Sequence, residues 1–288
     1  MSGAPPLLSV VVPAYNEIGL LGSTITNLCT GLDERKLDYE IIVVENGSRD
    51  GTLRLARLLA AQLETIRVLS LPVGDYGAAL AAGFMAARGN VVVNFDVDYY
   101  DLTFLDRALE SLQSGSAAIV LASKRAPGAS DRRPLARRVL TYGFALAGRY
   151  AVGLEATDAH GMKGMARVQV APIVERCVMR GSLFDVELVV RATRAGLPIV
   201  ELPAIVVERR APRTPVWRRS IEGVLGLARL GLVLRKQDRS AATGRPQATP
   251  GRAMAALSRL QKAAGRAGSN QDPSPKASAR SGADRFEQ

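Results

Sequence analysis

Short apolar runs alternate with longer amphipathic stretches along most of this chain. Residues 7–12, 40–44, 66–71, 91–95 and 117–122 are brief, apolar and bounded by turn formers, the pattern of buried strands. Between them, residues 20–32, the stretch opened by Asp50-Gly51-Thr52, residues 78–88 and residues 102–113 carry apolar positions at helical spacing. The pattern predicts further helices through Arg137, Arg138 and Arg149, near 170–179, and from Phe184 to Ala195 with Gly196 as C-cap. Residues 199–207 read as a strand split by Pro203, which suits a sheet edge. A last apolar helix covers 221–234. Strands alternating with helices at this spacing predict an α/β, Rossmann-like, largely parallel sheet flanked by helices.

The ends of the apolar runs are polar: Pro13 to Glu17, Glu45 to Gly47, Leu71 to Gly77, and Asp96-Val97-Asp98. Ligands of such sheets bind beyond the carboxyl ends of the strands, so these four segments should share one rim. Read as a strand end, residues i and i+2 face the same side, which lets Asp96 and Asp98 reach one point. Two carboxylates there suit Mg²⁺ or Mn²⁺ chelated by a substrate diphosphate. Aspartate is also a common turn residue, so the pair alone does not decide between a turn and a metal site.

Composition narrows the partners. A hydrophobic fraction of 47% over 288 residues supports a sizeable core. The net charge of +11 points to an anionic partner, such as a nucleotide, a lipid phosphate or a membrane surface. Few aromatic residues interleave with the basic ones and no nucleic-acid module is present, so nucleic acid is not expected. Cys29 and Cys177 fit neither metal spacing nor a disulfide framework, as expected of a reducing compartment. The first residues lack a basic signal-peptide region, and Arg149 and Arg229 break the two longest apolar stretches. The expectation is a cytoplasmic protein, peripheral at the inner face of a membrane. From Asp238 the composition turns to Ala, Ser, Gly, Pro and Arg, so residues 1–237 are expected to form the folded domain and 238–288 a basic disordered tail.

The motifs resemble the family 2 glycosyltransferases of GT-A fold. Val10-Val11-Val12-Pro13-Ala14-Tyr15-Asn16-Glu17 is similar to their first strand. Residues 41–52, through Glu45-Asn46-Gly47-Ser48, are similar to their V-V-D-D-G-S-x-D-G-T, and Phe95-Asp96-Val97-Asp98 to their D-x-D. Among them, the dolichyl-phosphate mannose synthase and polyprenyl-phosphate glycosyltransferase group is nearest. Its motifs resemble Ser123-Lys124-Arg125, Asp158 with Gly161-Met162-Lys163, Phe184-x-x-Glu187, and the run from Gly196 to Pro203. Departures include Glu45-Asn46 for Asp-Asp, the loss of N-x-G-x-G before Gly77, Tyr99-Tyr100 after the D-x-D, and His160 for a serine.

The resemblance implies a nucleotide-sugar donor and a divalent cation. It places Pro13, Tyr15, Glu17, Glu45 and Asp75 at the base and ribose, and Asp96 and Asp98 at the metal and diphosphate. Arg125 and Lys124 are candidates for stabilising the leaving diphosphate, with a solvated strand end as the bland reading. Arg132, Arg133, Arg137 and Arg138 suit a phosphate acceptor, which favours a polyprenyl phosphate, but they equally fit a plain basic face. A hydroxyl acceptor would instead need a base, with Asp158 or His160 as candidates. If the acceptor is a phosphate, Asp158 would orient Lys163 or an arginine. Glu187 is a candidate for either the acceptor region or a helix cap. Trp217 and its arginine neighbours suggest a membrane-surface helix over 217–235, or a helix that packs on the sheet. A non-catalytic nucleotide-sugar-binding protein is the reading from a different class.

Overall fold

The computed structural model describes residues 7–131, 135–206 and 216–242. In chain order these form β1 (Leu8–Ala14), α1 (Leu21–Glu34), β2 (Tyr39–Asn46), α2 (Thr52–Gln62), β3 (Ile66–Leu71) and α3 (Tyr76–Ala86). β4 (Val91–Asn94), α4 (Leu102–Gln113), β5 (Ile119–Ser123), β6 (Ser130–Asp131) and α5 (Leu135–Val152) follow. The remainder is β7 (Lys163–Ala166), α6 (Arg167–Arg176), α7 (Leu183–Arg194), β8 (Ile199–Pro203), β9 (Ile205–Val206) and α8 (Val216–Ala242). The 7-stranded sheet has the order β3-β2-β1-β4-β7-β5-β8, and β6 pairs with β9 apart from it.

β1 and β2 are buried along their whole length. A parallel strand covered on both faces must be apolar at consecutive positions, which explains their unbroken runs. Val10, Val12, Ile41, Val43, Val91 and Val93 share a core with Leu21, Ile25 and Leu28 of α1 and Phe104 and Leu105 of α4. On the opposite face α3 lies close to the sheet because Gly83 leaves room. A Cβ at Gly83 would sit 2.3 Å from Val11 Cγ1. The small residues of α3 thus set a short helix-to-sheet distance. β8 is the edge strand expected from Pro203.

One strand escapes the hydrophobic pattern. β7 runs antiparallel between β4 and β5, with Lys163 opposite Asn94 on one side and Leu121 on the other. It is short and contains Lys163 and Gly164, so neither alternation nor an apolar run marks it. Gly164 belongs there because α4 crosses it: a Cβ would lie 3.1 Å from Leu112 Cδ1.

α5 and α8 pack against each other, and α8 also meets α7. Phe144 fits over Gly223, where a Cβ would be 2.9 Å from the ring. Leu227, Leu230 and Leu234 bury the inner face of α8. The last helix therefore packs on helices rather than on the sheet. It also continues to Ala242, past the boundary expected at 237, and Arg194 pairs with Asp238 at 3.2 Å. The side chain of Trp217 and residues 243–288 lie outside the described residues.

Gly77 joins the two halves of the site. A Cβ on it would approach Gly181 O and Phe184 Cβ to 2.7 Å each. Gly77→Ala must push α3 away from the backbone before α7. It is expected to lower stability by about 1–3 kcal/mol, read in urea melts as a lower midpoint with an unchanged m value.

Candidate active site at the carboxyl edge of the sheet

The loop after β1 is clipped onto the turn after β2. Asn16 N donates to Ser48 Oγ at 3.0 Å, and Arg49 N to Asn16 Oδ1 at 2.8 Å. Glu17 N donates to Thr52 Oγ1 at 2.9 Å and Ile18 N to Asp50 Oδ2 at 3.2 Å. Asn16 takes a left-handed φ of 53, a conformation asparagine tolerates better than most residues. Tyr15 is left exposed at the rim beside Gly74. Pro13 is buried inside β1, and the pairing of β1 with β4 ends before it, at Val11. Its missing N–H therefore costs no bond on that side.

Two expected donor residues face inward. Glu45 is 2% exposed; Oε1 accepts from Ser48 N and Oε2 from Ser70 Oγ at 2.8 Å. It closes the turn and ties β2 to β3. Asp75 caps α3 through Ala78 N at 3.0 Å and holds Gly181 N at 2.9 Å with the same oxygen. Its other oxygen lies 3.8 Å from Arg180 Nε, whose side chain is 84% exposed. Arg180 thus stands at the mouth of the rim, where no sequence motif had marked it.

Asp96 and Asp98 converge through a turn, not through strand alternation. β4 stops at Asn94, and Asp96 pairs with Tyr99 across a tight reversal, with N···O distances of 3.1 and 3.2 Å. Beneath the turn lies a buried polar group. Tyr76 donates its hydroxyl to Asp96 Oδ1 at 3.2 Å. Lys163, fully buried, donates to Gly161 O at 2.8 Å and to Asp185 Oδ1 at 3.0 Å. Asp185 Oδ2 and Asn94 Oδ1 are buried and accept no hydrogen bond. Burial, then Asp98 and Asp185, push the Asp96 carboxyl up to about 6 against the opposing pull of Lys163. Lys163 therefore sits behind the carboxylates, bonded to Asp185, while Asp158 takes Lys124 instead. Tyr76, Asn94 and Asp185 are additions to the expected set. The readable signal for Asp185 was an acid inside the apolar run of α7, since such a residue is rarely buried without a partner.

A second polar cluster is built by β5 and the segment before β7. Ser123 Oγ meets Thr157 Oγ1 at 2.8 Å and accepts from Arg125 N and Ala126 N, while Glu201 of β8 accepts from Thr157 N at 2.7 Å. These bonds present Lys124 and Arg125 side by side. Lys124 Nζ lies 3.1 Å from Asp158 Oδ2, and Asp158 Oδ1 accepts from His160 N at 3.1 Å. Arg125 lies over the Tyr142 ring at 4.6 Å. His160 packs on Phe144 at 5.5 Å, and burial lowers its imidazole below the ordinary value, so it is neutral at pH 7. Glu187 turns away from this region. It is fully buried, accepts from Val178 N and Met179 N, and holds Arg191 at 2.7 Å. Arg132 and Arg133 lie outside the described residues, as does the side chain of Arg137; Arg138 is exposed on α5.

The model of glycosyl transferase family 2 matches residues 9–171, which span all but the first residue of β1 through β7 and include Asp96, Asp98 and Asp158. The chain belongs to that family. This family 2 glycosyltransferase is 30% identical over 243 residues to the undecaprenyl-phosphate mannosyltransferase of Micrococcus luteus, covering 81% of this chain and 98% of that one. It is 27% identical to the dolichyl-phosphate beta-glucosyltransferase of Dictyostelium discoideum, covering 77% and 73%. The glucosyl-3-phosphoglycerate synthase of Mycobacterium tuberculosis, crystallised with Mn²⁺, UDP-glucose and phosphoglyceric acid, shares the GT-A fold. Its TM-score is 0.58, at 21% identity over 84% of this chain and 81% of that one.

The donor set suits a hard cation in one particular way. Among the described residues no group of three or more His, Cys, Asp or Glu side chains is arranged to hold an ion. Magnesium, however, is commonly held by one or two carboxylates with phosphate and water completing its shell. Asp96 and Asp98 would offer such a pair, with the buried Lys163–Asp185 ion pair behind them. The raised Asp96 group also has a consequence for stability. A carboxyl whose folded value is raised stabilises the ligand-free fold below the ordinary carboxylate range, and that increment is lost as pH rises to about 6. Asp96→Asn is therefore expected to raise the ligand-free melting temperature at pH 8 by roughly 3–6 °C, as read by calorimetry, with little change at pH 4.

Proposed function

We propose that this glycosyltransferase moves a hexose from a nucleoside-diphosphate sugar to the phosphate of a polyprenyl or dolichyl carrier. The observation that carries this reading is the state of Asp158. Its two oxygens are engaged by Lys124 Nζ and by His160 N, and it is buried. A hydroxyl acceptor needs a group free to take its proton. A phosphate oxygen is already anionic and needs cations to place it. Lys124 and Arg125, held at the end of β5, are such cations, and Asp158 fixes one of them. The names of the Micrococcus and Dictyostelium relatives point the same way.

In the reaction so read, an acceptor phosphate oxygen bonds to the anomeric carbon from the face opposite the diphosphate. The bond from that carbon to the diphosphate oxygen breaks, and the nucleoside diphosphate departs with the charge. No proton changes hands. Asp96 and Asp98 would hold Mg²⁺ or Mn²⁺, which supplies counter-charge to the leaving diphosphate. Tyr15 and the backbone around Asn16 to Ser48 would receive the nucleoside, and Arg125 would meet the phosphate. With labelled GDP-mannose and UDP-glucose, polyprenyl phosphate and Mg²⁺, one donor is expected to give a lipid-linked sugar. Asp98→Ala should reduce the rate at least ~100-fold. Asp158→Asn should retain roughly a tenth of it, whereas loss of ~1,000-fold or more would indicate a general base and a hydroxyl acceptor.

The carrier lipid calls for a membrane surface, and α5 offers a better seat than the helix expected at 217–235. Leu135, Val139, Tyr142, Leu146 and Tyr150 are all exposed and recur at helical spacing. Val224, Leu225 and Leu232 of α8 are exposed as well, and Arg138, Arg149, Arg229 and Arg235 are exposed basic residues on the same two helices. An apolar stripe with basic flanks suits the headgroup region of an anionic bilayer. Among the described residues no helix is long and apolar enough to cross one. The stripe includes Tyr142, which packs under Arg125, so a lipid tail and its phosphate would meet adjacent groups. Val139→Glu with Leu146→Glu is expected to weaken co-sedimentation with phosphatidylserine vesicles roughly tenfold or more without lowering the melting temperature.

A further inference from the structure

The cation site of the proposed reaction rests on two carboxylates, since among the described residues no group of three or more His, Cys, Asp or Glu side chains is arranged to hold an ion. The turn that carries Asp96 is also short and lies beyond the end of β4. Something must hold the Asp96 carboxylate in one orientation while the cation and diphosphate come and go.

We infer that Tyr76 is the positioning residue of the cation site, fixing the plane of the Asp96 carboxylate from the first turn of α3. Four observations bear on it. The Tyr76 hydroxyl donates to Asp96 Oδ1 at 3.2 Å, which determines where Oδ2 points. Tyr76 stands immediately before Gly77, between the N-cap Asp75 and the close contact that Gly77 makes with Gly181 and Phe184. The start of α3 cannot drift, because Asp75 caps it and also grips Gly181 N, and Gly77 packs against Gly181 and Phe184. Finally, the carboxylate can only accept, so in this bond the uncharged phenol is the donor.

Asp96 therefore has a neutral donor on one side and the buried Lys163–Asp185 pair behind it. Tyr76 orients the carboxylate without cancelling its charge. A lysine or arginine in the same place would neutralise Asp96 and compete with the cation, whereas phenylalanine would preserve the packing and remove only the hydrogen bond. Loss of a single hydrogen bond to a charged group predicts a change in affinity of roughly five- to tenfold.

The inference rests on the reading of Asp96 and Asp98 as holders of a divalent cation, and the test separates the two. Binding of Mn²⁺ to the full-length chain is followed by the electron paramagnetic resonance signal of the free ion, with UDP and with GDP present. Tyr76→Phe is expected to raise the Mn²⁺ dissociation constant roughly five- to tenfold, to broaden the spectrum of the bound ion, and to leave the ligand-free melting temperature within about 2 °C of the parent. In the same variant the Mn²⁺ concentration giving half-maximal turnover should rise by the same factor, with little change in kcat at saturating Mn²⁺. An unchanged dissociation constant and bound-ion spectrum in Tyr76→Phe overturns the role given to Tyr76 alone. A parent protein that binds no Mn²⁺ with either nucleotide overturns the cation reading, and the role of Tyr76 with it. A large fall in melting temperature, with the dissociation constant unchanged in the folded fraction, assigns Tyr76 to packing and also overturns the inference.

Discussion

Asp185 is paired with the buried Lys163 ammonium at the end of β4, and both act on the Asp96 carboxyl, as does Asp98. Charges taken out of water must be paired and hydrogen-bonded or the fold is penalised. Much of the surrounding architecture serves that requirement. β7 enters the sheet antiparallel and places Lys163 between β4 and β5, directly opposite Asn94. α7 brings Asp185 to it, and α3 brings Tyr76 to Asp96. Burial leaves the Asp96 carboxyl raised to about 6, so the ligand-free fold carries an unfavourable charge there above that pH. The arrangement trades stability for binding, as active sites commonly do.

The end of β5 is organised by the opposite device, in which cations are presented and anions are occupied. Ser123, Thr157 and Glu201 lock the end of β5 to the segment before β7. Asp158 is fixed against Lys124, and Arg125 rests on Tyr142. Because Tyr142 belongs to the exposed stripe of α5, the polar and apolar parts of this side are continuous. An amphiphilic acceptor, anionic at one end and apolar at the other, matches that continuity better than a small polar one.

Much of the fold was legible along the chain. The apolar runs of β1, β2 and β4 are apolar enough that a sheet covered on both faces accommodates them, and the polar residues at the strand ends named the rim. β7 was not legible, because a four-residue strand containing lysine and glycine carries no periodicity. The orientation of the acidic residues was also hidden. Glu45, Asp75 and Glu187 have the composition of ligand-binding residues, yet each is taken up by backbone N–H groups of a neighbouring turn or segment. Sequence spacing reports which side chains are near the rim, not which way each one turns.

The chain by itself determined the sheet, its carboxyl edge and the family, since these follow from local periodicity and from motifs read in order. Tertiary structure alone decided which charges are paired. Lys163 meets Asp185 across 22 positions, Tyr76 meets Asp96 across 20, and Lys124 meets Asp158 across 34. Such pairs form only when crossover connections bring distant segments to the same edge. A charge's pairing and burial, which govern its chemistry, are properties of that assembled edge and not of any segment within it.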